Sequence, residues 1–77
     1  SRDVAMGVCT SLSKRGAQCD QNGDWKAAKV LYERAVEGFR ALLALGGLSD
    51  EATDHVVAMV GPEGALLDAL KTIDDQL

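Results

Sequence analysis

The side chains in this sequence that could do chemistry are two cysteines, one histidine and twelve carboxylates. Cys9 and Cys19 are ten residues apart in a stretch that reads as one helix. At ~1.5 Å of rise per residue they stand roughly 15 Å apart, beyond disulfide reach. They read as two small buried hydrophobes of a reduced, intracellular protein. A metal or redox pair would need CxxC spacing and more than one histidine. That histidine, His55, lies beside Asp54 and the apolar pair Val56 and Val57. No nucleophile pattern accompanies it, so it reads as a surface or half-buried side chain rather than a general base. The phosphate-cradling GxxxxGK-S/T and GxGxxG patterns are missing, as are GxSxG and HExxH. The glycines are scattered, and the one adjacent pair, Gly46-Gly47, reads as a helix stop. Carboxylates such as Asp74-Asp75 read as a solvated face. The expectation is a chain that is not an enzyme and holds no metal or cofactor.

The elements follow from punctuation and period. Asn22-Gly23 is a helix stop in which Gly23 takes the left-handed conformation, and Asp24 is then free to cap the next helix. From Asp24 to Leu45 the apolar residues fall on two neighbouring stripes at 3.6-residue spacing: Trp25, Tyr32, Val36, Phe39 and Leu43, then Ala28, Leu31, Ala35, Leu42 and Leu45. An arc that wide predicts a central helix with a neighbour on each side. Lys29–Glu33 and Glu37–Arg40 stand at helix-neighbour spacing on its outer face. Upstream, Ala5, Val8, Cys9, Leu12, Gly16 and Cys19 form a stripe of mostly small residues, which allows close approach to a partner. Gly7 and Gly16 each cost that helix about 1 kcal/mol against alanine, so it needs tertiary support. Downstream, Ser49-Asp50-Glu51 gives a cap and an acidic first turn. Val56, Met59, Val60, Leu66, Leu67, Leu70, Ile73 and Leu77 then keep helical spacing across Gly61-Pro62-Glu63-Gly64. A proline interrupts one helix or begins another. The segment is therefore one helix kinked near Pro62, which the in-phase stripe favours, or two short ones joined there. The fold expected is an all-α, three-helix antiparallel bundle, with helix 1 at about 3–22, helix 2 at about 24–45 and helix 3 at about 50–76, kinked or broken near Gly61-Pro62.

Size and charge narrow the function. Seventy-seven residues make one domain, 1–77, and its beginning at Ser1 reads as excision from a larger protein. The hydrophobic content of 47% is too high for a disordered acidic tail. No apolar run approaches the ~18 residues of a membrane-spanning helix. Twelve acids against eight bases give a net charge of −4, which argues against nucleic-acid binding. The charge is unevenly placed. Residues 1–45 carry seven bases and five acids, a balance of +2, and residues 46–77 carry seven acids and only Lys71, a balance of −6. An acidic surface with an apolar stripe is either simply solvated or forms the rim of a groove for a basic amphipathic segment.

The run from Asp20 to Phe39 resembles the MIT (microtubule interacting and trafficking) domain, a three-helix bundle. The residues that carry the resemblance are Asp20, Gly23, Asp24, Trp25, Ala28, Tyr32, Ala35-Val36 and Phe39, followed by Ser49-Asp50 and Ala52, then Leu67, Asp68 and Leu70. The central twenty residues are its specific part. The tetratricopeptide repeat shares the Gly-Asp-aromatic turn, but its second helix stops after about 14 residues and hands over to another repeat of period ~34. Here the helix runs to Leu45 and no second copy follows.

The resemblance implies a non-catalytic docking module that binds basic amphipathic C-terminal tails of ESCRT-III-like proteins. Such a module recruits its parent protein from the cytoplasm to endosomal or other membrane-remodelling sites, without inserting into the membrane itself. It implies a monomeric domain whose ligand lies between helices 2 and 3, against Val36 and Leu43 on one side and Glu63, Leu67, Asp68 and Lys71 on the other. Asp68 is the acid that would pair with a basic ligand side chain. The leucine pocket falls on Gly64 without a gap and on Leu67 with one. Gly61-Pro62 and the base-poor tail depart from the family pattern. They leave open a second groove, between helices 1 and 3, suited to an extended, proline-containing motif. The competing reading is a tetratricopeptide-like scaffold or self-association segment.

Overall fold

The computed structural model describes residues 1–77 as four helical segments: α1 (Arg2–Gln21), α2 (Trp25–Leu45), α3 (Asp50–Val60) and α4 (Ala65–Gln76). Together they form a helical bundle of three members. The third is interrupted at 61–64, where its axis bends by only 16°. No helix is long and apolar enough to cross a membrane.

The α1–α2 turn is built from local bonds. Gly23 has φ 77°, its N–H donates to the Asp20 carbonyl, and the Asp24 N–H reaches back to the Cys19 carbonyl. This is a Schellman closure, which satisfies carbonyls that the end of a helix leaves open. Asp24 then begins α2, its Oδ1 accepting from the Ala27 N–H at 3.3 Å. Ser49 caps α3 in the same way, its Oγ accepting from the Ala52 N–H at 3.1 Å.

The expectation of a central second helix holds: α1 lies along α2, while α3 and α4 both pack on α2 and on each other. Gly16 meets the Tyr32 ring, Cys9 meets Gly38, and Arg2 donates from Nε to the Gly46 carbonyl at 2.8 Å. The partner numbers run in opposite directions, so α1 and α2 form an antiparallel hairpin. Small residues set its spacing, since a Cβ on Gly16 would fall 2.8 Å from Tyr32 Cδ1.

The core joins all four segments. Phe39, Ile73 and Val56 are fully enclosed, one each from α2, α4 and α3, and Cys9 reaches in from α1. His55 is exposed, yet its ring stands edge-on to Phe39 with centroids 6.1 Å apart. Emptying the Phe39 site by truncation to alanine would cost ~3–5 kcal/mol. That is a large share of the roughly 4–12 kcal/mol expected for a domain of this size.

Several details differ from the expectations drawn from the sequence, among them the exposure of Leu45 and Leu77 at the ends of their stripes. Val8, placed on the core stripe, is 53% exposed, because α2 covers only one flank of that stripe. Lys29 pairs with Asp74 of α4 at 2.9 Å instead of with Glu33. The break in the third member is a tight turn, with the Gly64 N–H donating to the Gly61 carbonyl at 2.8 Å. Pro62 is the second residue of that turn and does not open α4. Glu63, the third, has φ 61°, the only positive φ outside glycine.

Candidate functional site

The antiparallel packing of α4 on α2 leaves a shallow open groove of about 210 Å³ between them, lined by Glu33, Val36, Glu37 and Arg40 of α2 with Leu67 and Leu70 of α4. Each set follows from helical spacing. Val36 has Glu33 one turn before it and Arg40 one turn after, and Leu67 is followed by Leu70 on the same face. The floor is apolar and the α2 rim carries two carboxylates and one guanidinium. One turn from Glu33 and Leu70, the Lys29–Asp74 ion pair ties α2 to α4. Asp74 bonds to the Lys29 ammonium and holds it above the usual lysine range, and the charge of Glu33 adds to the effect. Lys29 is thus already partnered, and the ionised groups left free to meet a ligand in the groove are Glu33, Glu37 and Arg40.

Of the six residues expected to bind a ligand, this groove brings together two, Val36 and Leu67. Leu43 is half-buried against the core and lies outside the lining. Glu63 is exposed in the 61–64 turn. Asp68 and Lys71 are exposed on α4 and do not line the groove. For Asp68 the reason is angular. At ~100° per residue it lies about 200° round α4 from the buried Leu66, on the side facing away from the core. Glu33, Glu37, Arg40 and Leu70 also line the groove and were not among the residues expected to bind a ligand. Their signal was the three- and four-residue spacing from Val36 and Leu67.

Neither cysteine is in a disulfide; Cys9 is buried and Cys19 half-buried. Burial pushes the Cys9 thiol above its ordinary pKa, the opposite of what activates a nucleophile. Tyr32 is likewise raised, first by burial and then by the negative charge of Asp20. No three side chains among His, Cys, Asp and Glu gather closely enough to hold a metal ion. What the arrangement offers is a shallow apolar strip with charged edges, a shape suited to a helical or extended segment. No family model matches the sequence, and no curated protein or solved structure matches it either.

Proposed function

We propose that this chain is a non-catalytic docking module of the MIT kind, which seats a basic amphipathic helical tail of an ESCRT-III-like protein between α2 and α4. In that role it brings its parent protein to endosomal or other membrane-remodelling sites. The observation that carries the reading is the α2–α4 groove itself: an apolar floor of Val36, Leu67 and Leu70 beneath the carboxylates of Glu33 and Glu37. The MIT-like run from Asp20 to Phe39 supports it, because that run supplies the α1–α2 turn and the α2 wall of the groove. Ligand leucines would cover Leu67 and Leu70, and ligand lysines or arginines would face Glu33 and Glu37. A short segment that must order itself on binding gives an affinity in the micromolar range, about −8 kcal/mol or weaker.

The test is a two-dimensional amide NMR titration with basic tail peptides of ESCRT-III-type proteins. Shifts gathering on residues 33–40 and 66–74 are expected, with Glu33→Lys weakening binding and Asp68→Lys leaving it nearly unchanged. Saturating peptide that moves no resonance would sink the proposal. Shifts confined to α1 and the far flank of α3–α4 would keep the function and move the site.

A further inference from the structure

The α1–α2 hairpin is covered by α3 and α4 on one side only. Its other side carries a second groove, of about 420 Å³, lined by α1 and α2 alone. Small lining residues, Ala5 on α1 with Gly38 and Ala41 on α2, leave the depression. Large aliphatic side chains wall it: Val8 is 53% and Leu45 70% exposed. The hairpin register that sets Cys9 against Gly38 brings Leu12 level with Arg34 at the far end. Arg34 is the only ionised side chain in the lining, which contains no carboxylate. It has no ion-pair partner, since the one salt bridge of the molecule is Lys29–Asp74. Arg15 lies on the same face of α1, one turn beyond Leu12.

We infer that this face is a second docking surface and that its partner is an acidic amphipathic helix, presenting leucine-like side chains to the groove and carboxylates to Arg34 and Arg15. The length suits about two turns of helix: seven residues from Ala5 to Leu12 span ~10 Å. The charge distribution decides the sign of the partner. Residues 46–77 carry a balance of −6 and repel an acidic segment, whereas residues 1–45 carry +2 and expose unpaired guanidinium groups on this side. An acidic helix is therefore excluded from α3–α4 and steered to α1–α2, while the carboxylates of the α2–α4 groove select the opposite charge. The surface stands independently of the function proposed above, as it shares no lining residue with the α2–α4 groove.

The experiment titrates the isotope-labelled chain with two synthetic helices of equal length. Each has leucine at i, i+3 and i+7, one flanked by glutamates and the other by lysines. The acidic peptide should shift the amides of Val8, Leu12, Ala41 and Leu45, with affinity falling as salt is added. Arg34→Glu should weaken it about tenfold and Arg34→Lys should retain it, both at one exposed position where substitution leaves the fold unchanged. Three results would overturn the inference: no shifts at saturating acidic peptide, equal occupancy of this face by the basic peptide, or shifts on α3–α4 instead. Resonances of this face that move with chain concentration in the absence of peptide would also overturn it, by assigning the surface to a second copy.

Discussion

The tightest approach in the hairpin gives a prediction that can be worked through in numbers. A Cβ added at Gly38 would fall inside contact distance of Cys9 Sγ, while the next nearest atom, Cys9 Cβ, is 3.9 Å away, an ordinary contact. The obstacle to Gly38→Ala is thus one sulfur atom. In an unobstructed helix interior, Gly→Ala gains about 1 kcal/mol. Overpacking a tight site costs ~1–3 kcal/mol, so Gly38→Ala alone should be neutral to destabilising by about 2 kcal/mol. Cys9→Ala alone removes one buried heavy atom and should cost about 1 kcal/mol. With the sulfur gone, Gly38→Ala should recover its full gain, and the double variant should lie close to the parent. The propensity gain appears in both backgrounds and cancels, which leaves a coupling of ~1–3 kcal/mol that reports the clash alone. Equilibrium urea unfolding of the four proteins measures it. With a slope near 1 kcal/mol per molar urea, the coupling amounts to a midpoint difference of about 1–3 M. A coupling under about 0.5 kcal/mol, with Gly38→Ala stabilising the parent, would mean that the thiol swings aside freely. The hairpin would then not be set by this contact.

Three further outcomes follow from local geometry. Glu63→Gly should stabilise the chain by up to about 1 kcal/mol in the same assay, because φ 61° costs a residue with a Cβ and costs glycine nothing, whereas Glu63→Val should destabilise it. Under native conditions a thiol reagent should label one cysteine quickly, the half-buried Cys19, and the buried Cys9 only as the protein opens; equal rates at both would contradict the packing of α1. Stability should fall as the pH rises above about 9. The Cys9 and Tyr32 pKa values are raised above 9.0 and 10.0 in the folded chain, so the unfolded chain releases those protons first. Each group contributes a slope of at most ~1.4 kcal/mol per pH unit, and Cys9→Ala should delay the onset of the fall.

What the sequence revealed and what it concealed divide along the range of the interaction. The caps at Asp24 and Ser49 and the stop at Gly23 were legible because each is closed by bonds within five residues. The breadth of the α2 arc announced two neighbours because burial on two sides needs apolar residues on two sides. The turn at 61–64 was harder to read. A turn with proline second and a positive φ third is normally marked by glycine in third place, and here glycine comes fourth. Without the expected glycine, the in-phase stripe on either side suggested a kink. The bend of 16° shows why the stripe stays in phase even though the backbone is interrupted. Lys29 shows the same limit in its charge pairing. Glu33 is one turn away in sequence, but Asp74 is brought to 2.9 Å by the packing of α4, and no local pattern contains that distance.

The candidate site was half legible for a related reason. A groove between antiparallel helices is defined by a register, and a register belongs to two segments at once. The Lys29–Asp74 pair fixes it here, because stepping seven residues forward on α2 and seven back on α4 brings Val36 opposite Leu67. Those two residues both line the groove. Asp68 is next to Leu67 in the chain, but adjacency in sequence is not adjacency on a helix surface. On a helix that neighbour is turned ~100° away, and the groove takes its acids from α2 instead. The consequence for recognition is specific. Glu33 and Glu37 are four residues apart on one helix face, so a ligand helix lying along α2 meets them at a fixed spacing of ~6 Å. Two basic side chains one turn apart on the ligand satisfy both, and a ligand with a single base satisfies one. Binding should therefore respond to the spacing of the ligand's bases as well as to their number. Moving the second base by two residues, at constant charge, should weaken binding about as much as deleting it. If the two peptides instead bind alike, the carboxylates act only as a diffuse field and the register plays no part in recognition.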